Sequence, residues 1–151
     1  MGVYFFDTSA LVNYYHLETG RSKVVALLEN PTHSNFISRL TLVELHSVLA
    51  RKVRTNELTE EGFHTVRRLF YADLRARKVR ITPLEQGHHL QAILLMMKHG
   101  LSHNLRTLDA LQLATTLEFH QKTPLDHFVC ADAALCQIAH RERLAVLNPE
   151  D

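Results

Sequence analysis

Four acids occupy positions where a carboxylate is conspicuous. Asp7 follows the apolar run Val3-Tyr4-Phe5-Phe6, and Asp132 follows Phe128-Val129-Cys130-Ala131. Glu44 lies within Leu40-Thr41-Leu42-Val43-Glu44-Leu45, and Asp109 within Arg106-Thr107-Leu108-Asp109-Ala110-Leu111-Gln112-Leu113-Ala114. Taken singly, each has an ordinary explanation: an acid in a first helical turn favours the helix dipole, and Asp after a strand is a common turn residue. Glu44 and Asp109 fit that explanation less well, because they interrupt apolar helical stretches where an unpartnered carboxylate is costly. Carboxylates gathered in one cleft repel one another, and without a cation some would stay protonated. A divalent ion removes the conflict. Oxygen ligands with no Cys or His among them point to Mg²⁺ or Mn²⁺ rather than zinc. The chemistry open to such a set is metal-assisted phosphodiester hydrolysis, in which water is activated and aimed in line while charge on the phosphate and leaving oxygen is neutralised.

The elements that must position these acids follow from hydrophobic periodicity and stop signals. Val3 to Phe6 reads as a buried strand, after which Thr8 or Ser9 caps a helix to about Tyr15. A helix over Ser22 to Glu29 stops at Asn30-Pro31, and Asn35 to Ser38 is a second short strand. Thr41 to Val53 is expected as a helix with Leu42, Leu45, Val48 and Leu49 inward and Arg51, Lys52 and Arg54 at its end. Thr59-Glu60-Glu61-Gly62 opens a helix to about Ala76, with Phe63, Val66, Leu69 and Phe70 inward. There follow a strand Val79 to Thr82, a helix Glu85 to His99 ending at Gly100, and a helix Leu108 to His120. Strand Phe128 to Ala131, helix Ala133 to Arg141 and strand Ala145 to Leu147 complete the chain. Short strands, apolar on both faces and alternating with helices, define an α/β class: a three-layer α/β/α sandwich around a mainly parallel central sheet. Such sheets place their sites at the carboxyl ends of the strands, near a change in strand order.

The 151 residues are 46% hydrophobic and 22% charged, with a formal net charge of +1. They fit one domain over 1–151, with no repeat, low-complexity tract or linker. Wholesale disorder is excluded by this composition. The longest apolar run, Ala92 to Met97, is too short for a bilayer, and the N-terminus has no positive leader. Cys130 and Cys136 give no disulfide framework and suit a reducing cytosol, so a cytoplasmic protein is expected. The balanced charge argues against holding nucleic acid mainly by bulk positive field. Basic groups Arg51/Lys52/Arg54 and Arg75/Arg77/Lys78/Arg80 are either solvated helix ends or phosphate holders beside the acidic cleft. Tyr14 and Tyr15 read as half-buried packing, with base stacking the alternative. The histidines, 11 in all, show no His-Glu-x-x-His pattern, and are expected to be surface or satisfied partly buried groups rather than zinc ligands.

The four acidic segments, in this order and at these separations, resemble a PIN domain, and the tail Leu144-Ala145-Val146-Leu147-Asn148-Pro149 resembles that family's closing strand. A free-standing PIN domain of this size is most similar to the VapC toxins of toxin–antitoxin pairs. The resemblance implies a Mg²⁺- or Mn²⁺-dependent endoribonuclease, a homodimer, silenced by a small cognate antitoxin whose C-terminal segment inserts near the site. It makes Asp7, Glu44, Asp109 and Asp132 the acidic metal-binding set, with Ser9 orienting a carboxylate or a water beside the first Asp. Cys130 departs from the Ser or Thr of many relatives, and Arg143-Leu144 from a frequent Gly. Two other functions compete. A haloacid-dehalogenase-like phosphatase would use Asp7 as nucleophile but needs an acid where Ser9 stands. A non-catalytic PIN-fold module would bind RNA or a partner without cutting.

Overall fold

Neighbouring strand residues face opposite sides of a sheet, and that parity builds the layers here. In the computed structural model, which describes residues 1–151, Phe5 and Phe128 point to one side while Phe6 and Val129 point to the other. The strands are β1 (Val3–Phe6), β2 (Ser34–Ser38), β3 (Arg80–Thr82), β4 (His127–Val129) and β5 (Val146–Leu147). They form one sheet in the order β3-β2-β1-β4-β5, and every pair is parallel. The helices are α1 (Thr8–Tyr15), α2 (Arg21–Leu28), α3 (Leu40–Arg54), α4 (Glu60–Arg75), α5 (Gln86–His99), α6 (Thr107–Lys122) and α7 (Ala133–Arg141).

Phe6, Ile37 and Val129 pack against Leu11 of α1, Val24 of α2, Leu45 and Leu49 of α3 and Phe70 of α4. Phe5 and Phe128 pack against Leu95 of α5, Leu113 of α6 and Ile138 of α7. The result is the expected α/β/α sandwich. From central β1 the chain steps outward through β2 and β3, then returns to the other side of β1 for β4 and β5. The order therefore reverses between β1 and β4, where a site is favoured at the strands' carboxyl ends.

Three expectations are corrected. The α1 cap is Asp7, not Thr8 or Ser9: its extended backbone lets the carboxylate accept from Ser9 N. The strand expected over Phe128 to Ala131 ends at Val129, because Cys130 and Ala131 leave the ladder and Asp132 caps α7 by accepting from Leu135 N. Leu69 is 54% exposed rather than inward, since Phe63, Val66, Phe70 and Leu74 share the face of α4 that meets the core and Leu69 lies about a quarter-turn away. Gly100 is the α5 cap as expected, in a right-handed conformation. No helix is long and apolar enough to cross a membrane.

Candidate active site

The β1/β4 reversal gathers the four acids. Asp7 leaves the end of β1 and Asp132 the loop after β4, while Glu44 sits in the second turn of α3 and Asp109 in the first turn of α6. All four line one cleft of about 630 Å³, together with Ser9, Arg51, Lys52 and Arg106 among others.

Each acid is fixed by a specific partner. Asp7 Oδ2 accepts from Ser9 N at 3.0 Å and from Ser9 Oγ at 2.5 Å. Ser9 Oγ accepts in turn from Ala131 N at 3.0 Å, so one hydroxyl ties the end of β1 to the loop carrying Asp132. Cys130 lies beneath this knot, its Sγ 3.7 Å from Ser9 Oγ and 3.9 Å from Asp7 Oδ2, a weak thiol contact. Glu44 Oε1 accepts from Gln112 Nε2 at 2.7 Å and from Thr8 Oγ1 at 3.3 Å. Arg106 spans the remaining two: its Nε donates to Asp109 Oδ2 at 3.0 Å and its Nη2 to Asp132 Oδ2 at 3.2 Å. Asp7 Oδ1 and Glu44 Oε2 take no protein donor.

The electrostatics follow. Burial raises Asp7 above the usual carboxylate range against the pull of the two Ser9 hydrogen bonds, and the charges of Asp109 and Asp132 push the same way. Glu44 is pushed up to about 7 by burial and by Asp7, against Gln112 and Thr8. Asp109 is raised by burial, with Arg106 opposing. These acids resist ionisation together, which is the conflict a bound cation relieves. A donor set of carboxylate oxygens, two of them without a protein donor, fits a hard divalent ion such as Mg²⁺ or Mn²⁺.

A tighter cluster lies elsewhere. Glu85, His88 and Glu118 place their ligand atoms within 4.8 Å of one another. His88 is buried, and its Nδ1 accepts from Glu85 N at 2.9 Å, which puts the ring proton on Nε2 facing Glu118. No imidazole lone pair is left for an ion, and Glu118 also holds Lys122 at 2.6 Å. This is a satisfied histidine fastening the start of α5 to α6. His99, buried with Nε2 2.6 Å from Glu142, ties the end of α5 to the cap of α7.

Of the basic groups, Arg51 and Lys52 border the cleft. Lys52 is a buried ammonium paired with Glu18 and Glu57, not a solvated helix end. Lys78 is bound by Glu29 at 3.0 Å and Asp73 at 3.1 Å, and Arg77 and Arg80 edge a separate hollow beside Ile81. Tyr14 and Tyr15 do not line the cleft, and their hydroxyls donate to Glu29 and Asp73. Sequence reasoning missed two site residues. Gln112 is a fully buried polar side chain in an apolar helix, the same signal that singles out Asp109. Arg106 stands three residues before Asp109, the spacing of a helical ion pair.

Fold and site together define the class: the chain belongs to the PIN domain family, whose model matches residues 4–146. Solved structures share the fold at low identity. VapBC2 from Rickettsia felis, bound to a DNA fragment from its promoter, aligns with a TM-score of 0.64 and 14% identity over 97% of this chain and 98% of its own. VapC20 of Mycobacterium tuberculosis, a sarcin–ricin-loop-cleaving toxin, aligns at 0.63 and 16% over 87% and 92%. FitAcB from Neisseria gonorrhoeae aligns at 0.60 and 19% over 97% of each. No curated protein sequence matches the chain. The phosphatase alternative falls with this membership: a hydroxyl, Ser9, stands where a second acid is needed, and it is spent on Asp7.

Proposed function

We propose that residues 1–151 form one nuclease domain, a Mg²⁺- or Mn²⁺-dependent endoribonuclease that acts in the cytoplasm as the toxin of a toxin–antitoxin pair. The observation that carries this reading is the convergence of Asp7, Glu44, Asp109 and Asp132 on one cleft at the strand-order reversal, with cationic side chains on its border. These four acids hold the divalent ion, which when bound supplies positive charge to the phosphate and acidifies the attacking water. Ser9 fixes Asp7 through Oδ2 and leaves Oδ1 without a protein donor. Gln112 and Thr8 fix Glu44 in the same manner through Oε1. Arg51, exposed at the end of α3, reaches an RNA phosphate flanking the cut. A cognate antitoxin silences the protein by covering this cleft. The working form is a homodimer joined across the apolar outer face of α5, where Leu90, Ile93, Leu94 and Met97 are exposed.

The test is purification free of antitoxin, followed by cleavage mapping on total cellular RNA with Mn²⁺ and Asp7→Asn as control. Discrete cuts that vanish with EDTA and in the variant support the reading. RNA that is bound but left intact by the parent turns it into the non-catalytic binding module. Cleavage that persists undiminished in Asp7→Asn places the chemistry elsewhere.

A further inference from the structure

Arg106 is the cation of the cleft that pairs with two of the four acids, and nothing else holds it. Its side chain is 67% exposed, and its hydrogen bonds are the two to Asp109 and Asp132. A guanidinium carries five N–H donors, so most of the fork is unspent and borders the cleft. Its backbone is extended at the α6 cap, which leaves the side chain outside the packed turns of the helix. The two carboxylates it bridges belong to the set that would take a divalent ion. Guanidinium and ion would therefore compete for the same two carboxylates, Asp109 and Asp132. An exposed pair of this kind is weak and yields to a doubly charged competitor.

We propose that Arg106 is a positioning residue with two posts: it bridges Asp109 and Asp132 while the cleft is empty, and it transfers to the phosphate at the cut when metal claims those carboxylates. The proposal rests on the ribonuclease reading above. The other cations of the cleft are less suited to the task. Lys52 is buried and engaged by Glu18 and Glu57, and Arg51 stands on α3, with no ion pair to these acids. A planar fork matches two phosphate oxygens as it matches two carboxylates, so the same group serves both posts without a change of protonation. In its first post Arg106 keeps the empty cleft from carrying the full repulsion of its acids. In its second it couples metal to RNA, because each metal ion bound releases one phosphate ligand.

The test uses the full chain with Arg106→Gln and Arg106→Lys, read by Mn²⁺ titration in electron paramagnetic resonance and by anisotropy of a fluorescein-labelled mixed-sequence oligoribonucleotide. Anisotropy is taken with EDTA, and with Mn²⁺ by stopped flow before cutting proceeds. Arg106→Gln is expected to bind Mn²⁺ about fivefold more tightly, the competitor being gone. The same variant is expected to bind RNA about tenfold more weakly with Mn²⁺ and almost unchanged in EDTA, with the salt slope reduced by about 1. Arg106→Lys should fall between, and melting points should match at saturating Mn²⁺, where the ion neutralises the acids in place of Arg106, and drop modestly in EDTA. A merely structural salt bridge would not move the two affinities in opposite directions. Mn²⁺ affinity unchanged or weakened in Arg106→Gln, or an RNA salt slope equal to that of the parent, overturns the proposal. A parent that binds neither Mn²⁺ nor RNA overturns the ribonuclease reading itself, and this inference with it.

Discussion

Glu44 shows how a single residue sets the pH behaviour of the empty cleft. It is half-buried, pushed up to about 7 by burial and by Asp7, while its unfolded counterpart titrates near 4.5. The native state therefore holds the Glu44 proton more tightly than the unfolded chain does. The resulting stability is full below about pH 4.5 and is lost as pH rises through about 7. Asp7 and Asp109, also raised, act in the same sense. Metal-free protein is thus expected to melt lower at about pH 8 than at about pH 5.5, with Glu44 responsible for roughly 1–3 kcal/mol. Mn²⁺ should recover that loss and add more at the higher pH, because it binds only the folded, ionised set. Differential scanning calorimetry at the two pH values, with EDTA and with Mn²⁺, reads both effects, and Glu44→Gln should flatten the metal-free profile. A metal-free melting point that climbs over this interval would refute the assignment. Asp7→Asn probes the same physics at the reaction level: cleavage is expected to fall by about 10²–10⁴-fold, while the metal-free melting point at about pH 8 holds or rises.

At the level of elements, Gln112 joins three helices around the acids. From α6 its Nε2 reaches Glu44 Oε1 of α3 at 2.7 Å, Thr41 Oγ1 of α3 at 3.0 Å and Thr8 Oγ1 of α1 at 3.2 Å. Gln112→Leu keeps the volume and removes the donor, leaving Glu44 deprived of its strongest hydrogen bond. The expected cost is about 1–3 kcal/mol, or roughly 3–10 °C in melting temperature, with weakened Mn²⁺ binding. An unchanged melting point would mean that the three helices are held by apolar packing alone. This contact also marks the limit of what the sequence discloses. Helices and strands were legible because periodicity and stop signals are local: α2, α3, α5 and α7 lie within two residues of expectation at each end. The acids were legible because a carboxylate in an apolar run is anomalous without any partner in view. Gln112 and Arg106 were not given roles, because their meaning lies in partners on other elements, 68 residues away for Glu44 and 26 for Asp132. Lys52 failed for the same reason: a lysine at a helix end reads as solvated until Glu18 and Glu57 close over it.

Over the whole molecule, charge and apolar surface are segregated. The net charge of +1 conceals a cleft holding acids and an outer surface that is correspondingly more basic, so on the proposed reading a cation in the cleft would remove the main obstacle to an approaching RNA. The apolar counterpart is α5. Its inner face buries Ala92, Leu95 and His99, while Leu90, Ile93, Leu94, Met97 and then Leu101 recur along the outer face, each more than half exposed. From Gln86 to Met97 that helix has no Asp, Glu, Lys or Arg. A two-fold contact sets a patch against itself, so a charged stripe would repel its copy, whereas a neutral apolar stripe is self-complementary. Stable dimers bury about 800 Å² per partner around an apolar centre, a role this stripe suits and solvent does not explain. Leu94→Glu combined with Met97→Glu is therefore expected to convert a dimer to a monomer in sedimentation velocity at micromolar concentration. Circular dichroism should stay native, because neither side chain belongs to the core. A parent that sediments as a monomer, or a double variant that remains a dimer, excludes α5 as the joint.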